Sequence, residues 1–154
     1  MTRRIEARLA ELGVDLPDAP APAANYVPAV ISGKMLYVSG QLPLSGGAVT
    51  LKGHLGDGVD IEAARDAAKL CAINILAQAR AAIGDLDRIA RIVKLTGFVS
   101  SRPDFGDQPK VINGASDFLV EVLGDKGRHA RSAIGVAALP FDAAVEVEAV
   151  IELE

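Results

Sequence analysis

A chain of 154 residues with a net charge of −4 has the size of one domain and an acidic surface that repels phosphate backbones, which weighs against general nucleic-acid binding. Half of its residues are hydrophobic but only 4% are aromatic, an apolar supply rich enough in Ala, Val, Leu and Ile for a core and for burial between chains. One cysteine, Cys71, excludes an internal disulfide, and no secretory leader or membrane-length apolar run stands out, so a soluble cytoplasmic protein with no membrane partner is the expectation.

Residues 2–12 predict a short amphipathic helix, with Ile5, Leu9 and Leu12 at i, i+4 and i+7 and Gly13 placed to end it. Prolines at 17, 20, 22 and 28 follow. Each fixes φ and removes a backbone donor, so this stretch predicts an extended strap. Residues 1–24, helix and strap, are too small to be a domain and belong to a single domain of residues 1–154. The segment AVISGKMLYVSG (29–40) predicts two short strands about a turn at Ser32-Gly33, and LPLSGGAVTLKG (42–53) a hairpin closed by Gly46-Gly47. Glycine-rich GHLGDGVD (53–60) matches no phosphate-binding spacing and predicts a loop.

Residues 60–83 predict the longest helix. Ile61, Ala64, Ala68, Cys71, Ala72, Ile75, Ala79 and Ile83 form one apolar stripe, Asp60 can cap its start and Gly84 its end. Cys71 falls on the stripe and reads as a buried small hydrophobe. Then come a strand rich in β-branched residues (88–101), a second helix (108–124) with Pro109 in its first turn, and strands at 130–139 and 143–154 joined through Pro140-Phe141-Asp142. In the last strand Val145, Val147, Ala149, Ile151 and Leu153 alternate with Glu146, Glu148 and Glu152, the period of a strand with one buried face. Strands, helix, strand, helix and two strands make an α+β fold: one mixed sheet with two helices on one face, in two layers. The other face is then bare in a monomer. Small apolar residues on both faces of SAIGVAA (132–138) call for a cover there.

The only histidines, His54 and His129, lie far apart with no metal-ligand spacing, and GxSxG is absent, so neither a metal nor a spacing-defined catalytic triad is expected. The stretch GRHARSAIGV (127–136) concentrates positive charge before a buried strand. Arg131 at that strand's start must find an anion, because a guanidinium stays charged. Two readings stand: an ion pair with Glu146 or Glu148 on an adjacent strand, or a ligand carboxylate. Arg128 and His129 either tune that rim or end the loop.

Two stretches, ANYVPAVISGKMLYVSGQLP and HARSAIGVAALPFDAAVEVEAVIE, resemble the Rid/YjgF family of reactive-intermediate deaminases, also called endoribonuclease L-PSP; the similarity runs over residues 25–154. The resemblance implies a chorismate-mutase-like α+β fold whose three copies pack into a homotrimer with a site in each cleft between subunits. It implies that Arg131 grips a substrate carboxylate and Glu146 orients the attacking water. Tyr26, from the neighbouring chain, and the backbone of Ser39 and Gly40 shape the cleft, and Ala133 stands where many members have cysteine. After Tyr26 come Val27-Pro28 instead of the Ser-Gln common in active members. Asn113 lies near the family's asparagine without a clear match. The implied reaction is hydrolysis of 2-imino acids to 2-keto acids and ammonia, with no cofactor and a small carboxylate metabolite as ligand. A non-catalytic carboxylate-binding trimer is the alternative; a ribonuclease is disfavoured by the acidic charge and the lack of a basic aromatic stripe.

Overall fold

The computed structural model describes residues 3–20 and 24–154; residue 2 of the predicted first helix and Pro22 of the strap lie outside the described residues. Helix α1 spans Arg4–Glu11, α2 Ile61–Ile83 and α3 Gln108–Leu123. The strands are β1 Ala29–Ser32, β2 Met35–Gln41, β3 Leu44–Ser45, β4 Ala48–Val49, β5 His54–Leu55, β6 Gly58–Val59, β7 Ile89–Ser100, β8 Ala130–Val136 and β9 Val145–Leu153.

Five strands form the main sheet in the order β1-β2-β9-β7-β8, antiparallel throughout except for the β7–β8 pair, which is parallel. The crossover between β7 and β8 is α3, as a parallel pair requires. Helices α2 and α3 pack against each other and against one sheet face. This is the two-layer α+β arrangement the pattern predicts.

The core lies between the layers. From β9 it takes Val145, Val147, Ala149, Ile151 and Leu153; from β7, Ile92, Leu95 and Val99; from the helices, Ala68, Cys71, Ile75, Ile112, Ala115 and Leu119. Two glycines permit the close packing. A Cβ at Gly97 would collide with the Ile112 side chain, and one at Gly114 would run into the backbone carbonyl of Arg65, where α3 crosses α2. Asp60 caps α2 by accepting from the Ala63 amide at 2.7 Å. The hairpin turn of β3 and β4 needs positive φ at both central residues, and Gly46 and Gly47 supply it at 60° and 81°.

The structure departs from the sequence reading in three places. Segment 53–60 is not wholly loop, because β5 and β6 pair there in parallel. Helix α2 is buried beyond its predicted stripe, at Asn74, Leu76 and Gln78 as well. Its second side is covered by the strap and the β3 region: Asn74 donates to the Leu42 and Leu44 carbonyls, Gln78 to Pro20, and Arg80 to Leu16 and Pro17. Finally β8 and β9, consecutive in sequence, are not neighbours. The chain steps over the end of β7 through Pro140–Asp142, with Phe141 and Asp142 at φ 57° and 59°, a left-handed turn that non-glycine residues adopt at a cost of roughly 1–2 kcal/mol each.

Helix α1 has no side-chain cap of its own; Asp87 accepts instead from the Arg4 and Ile5 amides at 2.8 and 2.9 Å and docks the helix on the domain. Its carboxyl is held below the usual aspartate range, chiefly by the Ile5 amide. No helix among the described residues is long and apolar enough to cross a membrane.

Replacing Gly114 by Ala tests the helix crossing. Alanine adds about 1 kcal/mol of helix propensity, but overpacking against a backbone carbonyl costs about 1–3 kcal/mol. The expected net result is a lower unfolding midpoint in thermal or urea denaturation; an unchanged or raised midpoint would show that the crossing has room to spare.

Candidate functional site

The residues singled out from sequence fall in three places on the sheet. Arg131 and Ala133 lie on edge strand β8, in register with Leu95 and Gly97 of β7 and so on the face the helices cover. Ala133 is packed against the core there. The Arg131 side chain reaches α3, where Nη1 donates to Ser116 Oγ at 3.0 Å and Nη2 to the Pro109 carbonyl at 3.2 Å.

No carboxylate pairs with Arg131 among the described residues. The ion pair with Glu146 or Glu148 is therefore not what the fold makes. The reason is topological: β7 lies between β8 and β9, so these glutamates are not on an adjacent strand, and they point to the opposite face. Two of the five guanidinium N–H groups are spent on uncharged oxygens, which leaves three and an uncancelled charge.

Glu146 projects from β9 to the bare face, in register with Phe98 of β7, which is in turn beside Ile134 of β8. Its carboxylate lies over Gly40, where a Cβ would collide with it. Gly40 belongs to an irregularity in β2, where the pairing with β9 slips between Val38 and Gln41. Ser39 fixes that kink by bonding the Pro28 carbonyl through both its amide and its hydroxyl, at 2.9 and 3.1 Å. Ser39, Gly40 and Glu146 are thus brought together within one chain. Burial raises the Glu146 carboxyl above the ordinary glutamate range, and neighbouring Glu148 adds to the effect.

Tyr26 sits just before β1, at the sheet edge opposite β8, and is exposed. Val30, Tyr37 and Ile134 are exposed too, and the register puts Val30 beside Tyr37, Tyr37 beside Val150 and Ile134 beside Phe98, so the uncovered face carries two apolar patches, with Lys94, Glu148 and Glu146 between them.

Sequence reasoning missed Ser116 and the role of His129. Ser116 Oγ lies 2.8 Å from His129 Nε2, and His129 Nδ1 is 2.6 Å from the Gly127 carbonyl. Pro109, Asn113 and Ser116 recur at i, i+4 and i+7 on α3 and so share the face that meets Arg131. That spacing is legible in sequence; what it faces is not. Cys71 is fully buried and burial pushes its thiol well up, which leaves it as packing. His54 bonds the Ala137 carbonyl at 2.7 Å.

A family model described as "YjgF/chorismate_mutase-like, putative endoribonuclease" matches residues 6–153. Protein TCP17 of Trypanosoma cruzi is 51% identical over 151 residues, covering 97% of this chain and 94% of that protein. The crystal structure of Atu1372 from Agrobacterium tumefaciens is 54% identical, with a TM-score of 0.91 over 98% of this chain and 94% of that one. The crystal structure of Escherichia coli TdcF with bound serine is 26% identical, with a TM-score of 0.65 over 100% and 97% of the two chains.

Glu146 costs stability when ionised, because its folded-state pKa lies above the unfolded one. That cost is absent below the unfolded pKa and complete above the folded pKa. Glu146→Gln is therefore expected to raise the thermal midpoint at pH 7 and to match the wild type at pH 4 or below. A midpoint lowered at pH 7 would mean that the charge is satisfied in the folded protein.

Proposed function

The chain belongs to the YjgF/chorismate-mutase-like family, and from that premise we propose that it hydrolyses 2-imino acids to 2-keto acids and ammonia in clefts between three copies of the chain. The observation that carries this reading is Arg131: a half-buried guanidinium held by neutral oxygens, its charge uncancelled and three donors unspent. A substrate carboxylate matches that fork, through charge-assisted bonds of roughly 1.5–3 kcal/mol each. A solved relative, TdcF, carries a bound serine, a ligand with such a carboxylate.

Glu146 is the general base of the proposed reaction. A carboxyl whose pKa is raised toward the working pH accepts a proton more readily from water. Water adds to C2 of the C=N group while Glu146 takes one of its protons and passes it to nitrogen; the hydroxyl proton of the resulting carbinolamine then follows to nitrogen by way of Glu146, and ammonia leaves as the C–N bond breaks and the carbonyl forms. One imine and one water give one keto acid and one ammonia. Imines are already labile in water, so positioning supplies much of the rate.

Arg131 and Glu146 are on opposite faces in one chain, and Tyr26 is at the far edge. A shared cleft therefore needs a second chain, and the exposed apolar patches on the bare face support such an assembly. A second reading, carboxylate binding without turnover, is favoured by Ala133, a methyl packed on the core that offers no chemistry.

An amino-acid oxidase that generates 2-iminopropanoate in situ, with ammonia and pyruvate release followed over time, separates the two. The reading expects acceleration by the wild type and a loss of roughly 10- to 150-fold in kcat/KM for Arg131→Ala. Unchanged rates in that variant would overturn the assignment, and pyruvate binding without turnover would select the second reading. Gly40→Ala displaces the Glu146 carboxylate. It is expected to lower kcat by about 10²-fold or more, as loss of a general base does, while pyruvate binding persists.

A further inference from the structure

Arg131 is the end of a hydrogen-bonded chain whose direction is fixed. The Gly127 carbonyl can only accept, so His129 Nδ1 carries a proton at 2.6 Å from it. The neutral ring's Nε2 is then an acceptor, and the Ser116 hydroxyl donates to it at 2.8 Å. With its proton committed, Ser116 Oγ presents lone pairs, and Arg131 Nη1 donates to it at 3.0 Å. The Pro109 carbonyl holds Nη2 at 3.2 Å, so α3 grips the fork at two points, and the loop before β8 orients one of them through His129.

We propose that Ser116 and His129 are positioning residues for Arg131, a neutral relay that aims the guanidinium while leaving its charge for a ligand carboxylate. This rests on the reading of Arg131 as the carboxylate anchor. Burial, with the Arg131 charge nearby, holds His129 below the ordinary imidazole range and keeps it neutral, against the opposing pull of the Gly127 carbonyl. A carboxylate in place of Ser116 would hold Arg131 equally well but cancel its charge. A neutral acceptor whose own proton is drawn off by an imidazole avoids that cancellation.

The experiment combines kinetics with nitrogen NMR on the full-length protein. Ser116→Ala and His129→Phe are each expected to raise KM for 2-iminopropanoate, and Kd for pyruvate, by about 3- to 10-fold, the worth of one hydrogen bond, with a smaller change in kcat. Ser116→Thr, which keeps the hydroxyl, recovers most of the affinity. The His129 ring is expected to carry its proton on Nδ1, and the Arg131 guanidinium resonances to shift in Ser116→Ala. Folded variants with unchanged KM and Kd, or a ring protonated on Nε2 alone, would overturn the relay. If the wild type neither turns over the imine nor binds pyruvate, the anchor reading fails. The tautomer and the guanidinium shift then still decide whether the relay exists.

Discussion

A guanidinium held by two uncharged oxygens is the interaction on which the candidate site depends. Arg131 cannot lose its charge, and an arginine at the start of a strand would ordinarily be neutralised by a nearby acid. Here the sheet order prevents it. The glutamates of β9 are one strand removed from β8 and lie on the other face, so among the described residues Arg131 bonds the Ser116 hydroxyl and the Pro109 carbonyl instead. Those groups fix the fork without cancelling it, and the residual positive potential is what the proposed carboxylate binding rests on.

The same topology separates the chemistry. Insertion of β9 between β2 and β7 brings Glu146 beside the β2 kink at Ser39 and Gly40, and places β7 between it and Arg131. Tyr26 lies just before the strand at the opposite edge. The proposed catalytic set is distributed over both faces and both edges of one sheet, so it cannot converge within a lone chain. The proposed assembly would bring the set together, and the exposed apolar residues Val30, Tyr37 and Ile134 would give it a hydrophobic contribution. Within the chain, half-buried Glu146 costs stability when ionised and gains basicity in return, a trade expected at working sites rather than at packing sites.

Much of the fold was legible because its signals are local. The period-2 alternation of β9 gave its buried face, and the apolar stripe with Asp60 and Gly84 at its ends gave α2. The paired glycines 46 and 47 gave the hairpin. The miss on α2 was non-local. Burial of Asn74 and Gln78 depends on the strap and the β3 region crossing α2, contacts between residues 30 or more apart in sequence. Nothing in the glycine-rich segment 53–60 announces the parallel pairing of β5 with β6.

By itself the sequence determined the main helices and strands and that one sheet face would be left uncovered, and the resemblance of its motifs singled out Arg131 and Glu146 as candidates. These follow from side-chain period, backbone preference and composition, which act over a few residues. Only the tertiary structure decided that β7 separates Arg131 from the acids of β9, and that Ser116 and His129 stand behind the arginine. Strand order is set by how layers pack over the whole domain, and a hydrogen bond between residues 15 apart on a helix and a strand exists only after that packing is complete.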